Sequence, residues 1–184
     1  ACVIRNCYVD CGSADANMKQ DFRGIAVYGG AGSIVECNRI LNCRFGGPYR
    51  VHPDAVTELA VKDLVVHENY YYNVLRGIEQ GMPGSGPDTS NVNGRIVVEE
   101  NEIELAVKDP KTTGAIDPKG LVFIGASSTS PRRFTTLIAR GNAIRPKDND
   151  NSTLANRYGI EFNSCEEATI EDNVINLGLK AGGG

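Results

Sequence analysis

"VECNRILNC" (residues 35–43) and "TIEDNVINL" (residues 169–177) share one rhythm: an apolar residue three positions before an asparagine and another two positions after it. Four further segments keep it: "CVIRNCYVDC", "VVHENYYYNV", "VVEENEIELA" and "IARGNAIRPK". The central asparagines are Asn6, Asn38, Asn69, Asn101, Asn142 and Asn173, separated by 32, 31, 32, 41 and 31 residues. A spacing this regular marks a repeat architecture. Three residues before the asparagine stand Val3, Val35, Val66, Val98, Ala139 and Ile170; two after it stand Tyr8, Ile40, Tyr71, Ile103, Ile144 and Ile175. Between these apolar columns lies a mostly charged one: Ile4, Glu36, His67, Glu99, Arg140 and Glu171. The period is that of a strand with one inward and one outward face, broken where the chain turns at the asparagine.

A second phrase recurs after the first five: "RGIAVYG" (23–29), "RGIEQG" (76–81), "KGLVFIG" (119–125) and "YGIEFNS" (158–164), with a weaker relative, "FGGPYRV", from Phe45. Its glycine is expected at a corner with no room for a Cβ. The extra length of two repeats falls in "MPGSGPDTSN" and "ASSTSPRR", both rich in turn-forming residues, which reads as surface loops. Amphipathic helices and regular leucines are missing, so helical and leucine-rich repeats do not fit.

The repeated apolar-x-x-Asn-x-apolar phrase followed by a Gly-apolar strand resembles the right-handed parallel β-helix of the pectin-lyase-like superfamily. The resemblance covers nearly the whole chain. It implies an all-β, right-handed, single-stranded parallel β-helix of about six coils. Residues 1–180 are expected to form one such domain, a segment of a longer solenoid or a mature chain, with 181–184 as a flexible glycine tail. It also implies an inward ladder of the six asparagines, structural rather than catalytic. That fold hosts many activities, so it does not by itself assign one.

Composition narrows the partners. The 184 residues carry a formal charge of −4, which gives no basic surplus for nucleic acid. No apolar run approaches the length of a membrane span. Six cysteines are present, four of them within the first 37 residues, but their spacing is not that of a zinc motif, and no metal site is expected. Cys11 and Cys43 each stand five residues after their asparagine, so stacking brings them to disulfide range; a bridge and a pair of stacked thiols both remain open.

Candidate chemistry lies on the outward columns of the glycine phrase. Arg23, Phe45, Arg76, Lys119 and Tyr158 precede the glycine; Ala26, Pro48, Glu79, Val122 and Glu161 stand two after it. Cations there can hold uronate carboxylates, and aromatics can stack on sugar rings. The catalytic candidates are Arg76 and Glu79, with His52 and Asp54 from the irregular "RVHPD" segment; the substrate-binding candidates are Arg23, Lys119, Tyr158 and Glu161. Solvated ion pairs are the plain alternative. Polygalacturonase-type motifs (Asn-Thr-Asp, Asp-Asp, Gly-His-Gly) and the lyase segment Arg-x-Pro-x-x-Arg are absent, and "RPK" (145–147) reads as lacking carboxylate partners. The loop at 146–157 offers Asp148, Asn149, Asp150 and Asn151 as oxygen donors, which keeps Ca²⁺ open as a cofactor.

The expectation is therefore a secreted or cell-surface protein that binds or acts on an acidic polysaccharide by lyase- or hydrolase-like chemistry. The alternative is a non-catalytic structural or adhesive β-helix such as a surface protein or tailspike segment. Further coils or a partner chain are expected to cap its ends.

Overall fold

A computed structural model describes residues 1–12, 22–27, 32–50, 63–81, 93–107, 115–124, 134–149, 157–163 and 165–177. Within them the chain is almost entirely strand: β1 (Val3–Arg5), β2 (Tyr8–Asp10), β3 (Ser33–Glu36), β4 (Arg39–Leu41), β5 (Tyr49–Arg50), β6 (Asp63–His67), β7 (Tyr70–Val74), β8 (Arg76–Gly81), β9 (Asn93–Glu99), β10 (Glu102–Leu105), β11 (Lys119–Ile124), β12 (Phe134–Arg140), β13 (Ala143–Pro146), β14 (Tyr158–Asn163), β15 (Cys165–Glu171) and β16 (Val174–Ile175). A single 3₁₀ turn, Lys147–Asn149, follows β13 among these residues. The predicted tail at 181–184 and the predicted loops at 82–91 and 126–133 lie outside the described residues.

The strands form three sheets. One runs β1-β3-β6-β9-β12-β15, the second β2-β4-β7-β10-β13-β16, the third β5-β8-β11-β14. Every pairing is parallel, and successive strands pass from the first sheet to the second to the third before returning. Parallel partners need a long connection, and here the other two sheets supply it. The arrangement is all-β and compatible with a β-solenoid.

The core fills the space between the sheets. Val35, Val66, Val98 and Ala139 from the first sheet meet Ile40, Tyr71, Ile103 and Ile144 from the second and Ile78, Leu121 and Phe123 from the third, all essentially without exposure. The repeat's apolar columns therefore line the interior. Between residues 101 and 142 the spacing lengthens to 41, yet β10 still pairs with β13 in unbroken register. The added residues are accommodated outside the strands.

The first repeat needs a correction. Tyr8 pairs with Arg39 and Ile4 with Val35, so the inward residues of this circuit are Ile4 and Val9, not Val3 and Tyr8. Val3 and Tyr8 are exposed. Asn6 consequently stands opposite Cys37, and Cys7 opposite Asn38.

The glycine corners behave as expected. A Cβ on Gly77 would stand 2.5 Å from the Gly120 carbonyl oxygen and 2.9 Å from Ile103 Cγ2. Gly120 is hemmed in the same way by the Gly159 carbonyl oxygen and Ile144. Any side chain there would separate the stacked circuits.

Candidate functional site

Two polar columns cross the sheets. The first lies at the corner between the first and second sheets. Asn38 donates its backbone N–H and Nδ2 to Asn69 Oδ1, at 3.0 and 2.9 Å. Asn69 treats Asn101 Oδ1 in the same way, Asn101 treats Asn142, and Asn142 treats Asn173. Each Nδ2 also reaches a backbone carbonyl of the circuit before it; Asn101, for example, donates to Val66 O at 3.0 Å. These amides are buried and fully engaged, as buried polar groups must be. Asn6 is not part of this ladder. The ladder ends on the Cys7 N–H, which donates to Asn38 Oδ1 at 2.9 Å.

Asn6 belongs instead to the neighbouring column of residues with positive φ, together with Cys37, Glu68, Glu100, Gly141 and Asp172. That left-handed backbone is what turns the corner, and asparagine tolerates it unusually well. A shorter amide ladder, missed in the sequence, runs beside β4 and β7: Asn73 donates to Asn42 Oδ1 at 2.9 Å, and Asn42 to Asp10 Oδ1 at 3.0 Å. The repeated "NRILN" and "NYYYN" carry its signal.

The second polar column is the outer face of the third sheet. Arg23, Phe45, Arg76, Lys119 and Tyr158 stand in register across it. Glu79 is opposite Val122, which is opposite Glu161. On the other side Glu79 pairs with Tyr49, not with the expected Pro48, because the double glycine at 46–47 adds a residue.

This column is not a uniformly solvated stripe. Arg23 and Tyr158 are exposed at its ends, Lys119 and Glu161 are half-buried, and Arg76 and Glu79 are buried at its centre, 9% and 7% exposed. Lys119 is ion-paired with Glu161, and its ammonium lies 4.6 Å from the centre of the Tyr158 ring. By contrast, Arg76 Nε and Nη1 and Glu79 Oε2 are buried without a hydrogen-bond partner. Burial raises the Glu79 carboxyl above its ordinary value; the Arg76 and Lys119 charges pull it back down, and Glu161 pushes it up again. A desolvated carboxylate between two cations, with donors left open, is equipped to accept a proton and to bind an anion.

Four predicted site residues, Arg76, Glu79, Lys119 and Glu161, are thus brought together, with Tyr158 against Lys119. Arg23 is bridged to Phe45 at the edge of the column. His52 and Asp54 lie outside the described residues, as do Asp150 and Asn151 of the loop offered for calcium. Asp148 is described and is occupied by the Tyr72 hydroxyl at 3.1 Å and by Lys147. Arg145 does have carboxylate partners, Glu102 and Glu104, contrary to the sequence reading. Both partners lie on β10, Glu104 directly opposite Arg145 and Glu102 two residues along, where sequence proximity gives no hint of them.

The charged column of the first sheet also gains from the register correction. Arg5 faces Glu36 at 3.3 Å, and Arg140 bridges Glu99 at 2.6 Å and Glu171 at 3.6 Å. His67 departs from that alternation: its Nε2 points to Glu68 and Glu100 at the corner. Cys11 and Cys43 bring their Sγ atoms to 2.7 Å as thiols, and burial pushes the Cys43 thiol up.

No family model matches the chain, and no curated protein or solved structure proves significantly similar to it.

Proposed function

We propose that the three sheets are the walls of a right-handed parallel β-helix of the pectin-lyase-like kind, and that the outer face of the third sheet binds and acts on an acidic extracellular polysaccharide. The observation that carries this reading is the buried pair Arg76–Glu79, whose Arg76 Nε and Nη1 lack acceptors. A uronate carboxylate would supply them once the groups covering these solvent-inaccessible atoms move aside, since a planar guanidinium binds a carboxylate through two parallel hydrogen bonds. Lys119 adds a second cation, and Tyr158 offers an exposed ring for a neighbouring sugar.

The chemistry this set favours is β-elimination. Glu79, ionised between its cations, would take the proton on the carbon next to the uronate carboxylate. Arg76 and Lys119 would stabilise the enolate that forms. The electron pair would then make the new C=C bond as the glycosidic C–O bond breaks, and the leaving oxygen would take a proton from water. A protein with this role works outside the cell, secreted or at its surface.

One observation favours a second reading, of a binding or adhesive face without turnover. Glu161, the other carboxylate of the column, is tied to Lys119, which leaves that column without a second free acid for hydrolysis. Incubation with pectate, alginate and chondroitin, with and without Ca²⁺, separates these readings. Unsaturated product that disappears in Glu79→Gln supports the lyase; binding without product supports the adhesive face. Neither product nor binding contradicts both.

A further inference from the structure

A different group of side chains lies at the corner between the first and second sheets, on the outside of the asparagine ladder. His67 ends β6, Glu68 is the corner residue that follows it, and Glu100 is the corner residue of the next circuit. His67 Nε2 is 3.2 Å from Glu100 Oε2 and 3.7 Å from Glu68 Oε1. One donor atom from each of the three lies within 4.8 Å of the others.

Two of these distances, 3.2 and 3.7 Å, are close to those of a coordination polyhedron, and side-chain rotation would close the third. Bonds of about 2.0–2.1 Å at tetrahedral angles set nitrogen and oxygen donors roughly 3.3 Å apart. The charges point the same way. Glu68 and Glu100 occupy equivalent positions in successive circuits, where like charges repel. The imidazole between them offsets at most one of the two negative charges; a divalent cation offsets both. Nor is the cluster purely acidic. Its imidazole selects a borderline ion over Ca²⁺ or Mg²⁺, which take oxygen donors.

The corner is also open to a ligand. His67 side-chain exposure is 31%, Glu68 52% and Glu100 63%. On one side the column continues with Gly141, which has no side chain to intrude; on the other Cys37 donates its thiol to Glu68 Oε2 at 3.4 Å.

We propose that His67, Glu68 and Glu100 form a zinc site with three protein donors and a fourth position open to water or a ligand. The site is separate from the Arg76–Glu79 face and independent of the function proposed for it. Cys37 lies beyond the three donors as a partner of Glu68.

The test is Zn²⁺ titration by calorimetry on a variant carrying Cys2→Ser, Cys7→Ser and Cys37→Ser, so that the exposed thiols cannot supply the binding. Imidazole NMR signals are followed in parallel, with His52 as the internal control. One Zn²⁺ should bind per chain, shift the His67 ring and leave His52 unmoved, and excess Ca²⁺ should not displace it. His67→Ala and Glu100→Gln should each weaken binding by more than about tenfold, since even groups that only support metal ligands are worth that much. Glu100 is exposed and His67 half-buried, and an unaltered circular dichroism spectrum confirms the fold. Absence of Zn²⁺ binding, or binding that survives His67→Ala, overturns the proposal.

Discussion

The asparagine corner and the outer face of the third sheet are both polar columns running across the same stacked circuits, yet they differ in one respect. At the corner every buried amide between Asn38 and Asn142 has its donors and acceptors engaged. On the sheet face, Arg76 and Glu79 are as dry but keep open atoms. A satisfied column holds circuits together. An unsatisfied one carries a desolvation penalty that the neighbouring charges offset only in part. Burial alone does not separate scaffold from site, and an unpaired atom alone does not either, since the core Tyr71 hydroxyl and Gln80 Oε1 also lack partners; at Arg76 and Glu79 the unpaired atoms coincide with a cluster of charges.

The largest expected effect comes from breaking the satisfied column. Asn101→Ala strands the Asn69 N–H and removes the side-chain donor from Val66 O, while Asn69 Nδ2 keeps the Val35 and His67 carbonyls. At about 1–3 kcal/mol for each buried orphan, the loss should reach about 2–5 kcal/mol. Urea unfolding measures it, and a loss below about 1 kcal/mol would mean that the ladder is not what binds these circuits.

A middle-sized effect should appear as pH dependence on the unsatisfied side. Folding raises the Glu79 carboxyl above its ordinary 4.5, so between that value and the raised one the folded chain holds more proton than the unfolded chain. Glu79 then favours the folded state fully below the ordinary value, and that contribution is lost as pH rises through the raised one. Glu79→Gln should remove this decline. Stability curves of the two proteins that stay parallel across the window would contradict the assignment.

The smallest effect sharpens the register at the first circuit. Asn6 turns a corner at φ 55 and makes no ladder bond, so Asn6→Gly should change stability by less than about 0.5 kcal/mol. A loss comparable with that of Asn101→Ala would restore Asn6 to the ladder.

Much of the architecture is legible in the sequence because the ladder demands the same residue type at the same place in each circuit. Asn38 through Asn173 bond to one another at spacings of 31, 32 and 41 residues, because extra residues outside the strands leave the ladder register unchanged. The misreading of Asn6 has the same origin: asparagine suits both the ladder and the left-handed corner beside it, and identity alone cannot tell which place it fills. The columns holding Arg76, Glu79, Lys119 and Glu161 follow from counting from the glycine. Their burial does not, because what dries a side chain comes from segments far away in the chain. The partners of His67 were equally hidden. A strand pattern describes what alternates along the chain, and Glu100 reaches His67 from 33 residues away, across the stack.

The central claim is that the open atoms of Arg76 await a carboxylate. The most direct measurement is the affinity of oligogalacturonate for the protein and for Arg76→Lys, which keeps the charge beside Glu79 but loses the planar fork. The account predicts affinity about tenfold weaker or worse in the variant, and a comparable loss when the sugar carboxylates are methyl-esterified. Equal affinity in the two proteins, or equal binding of the esterified sugar, would contradict it.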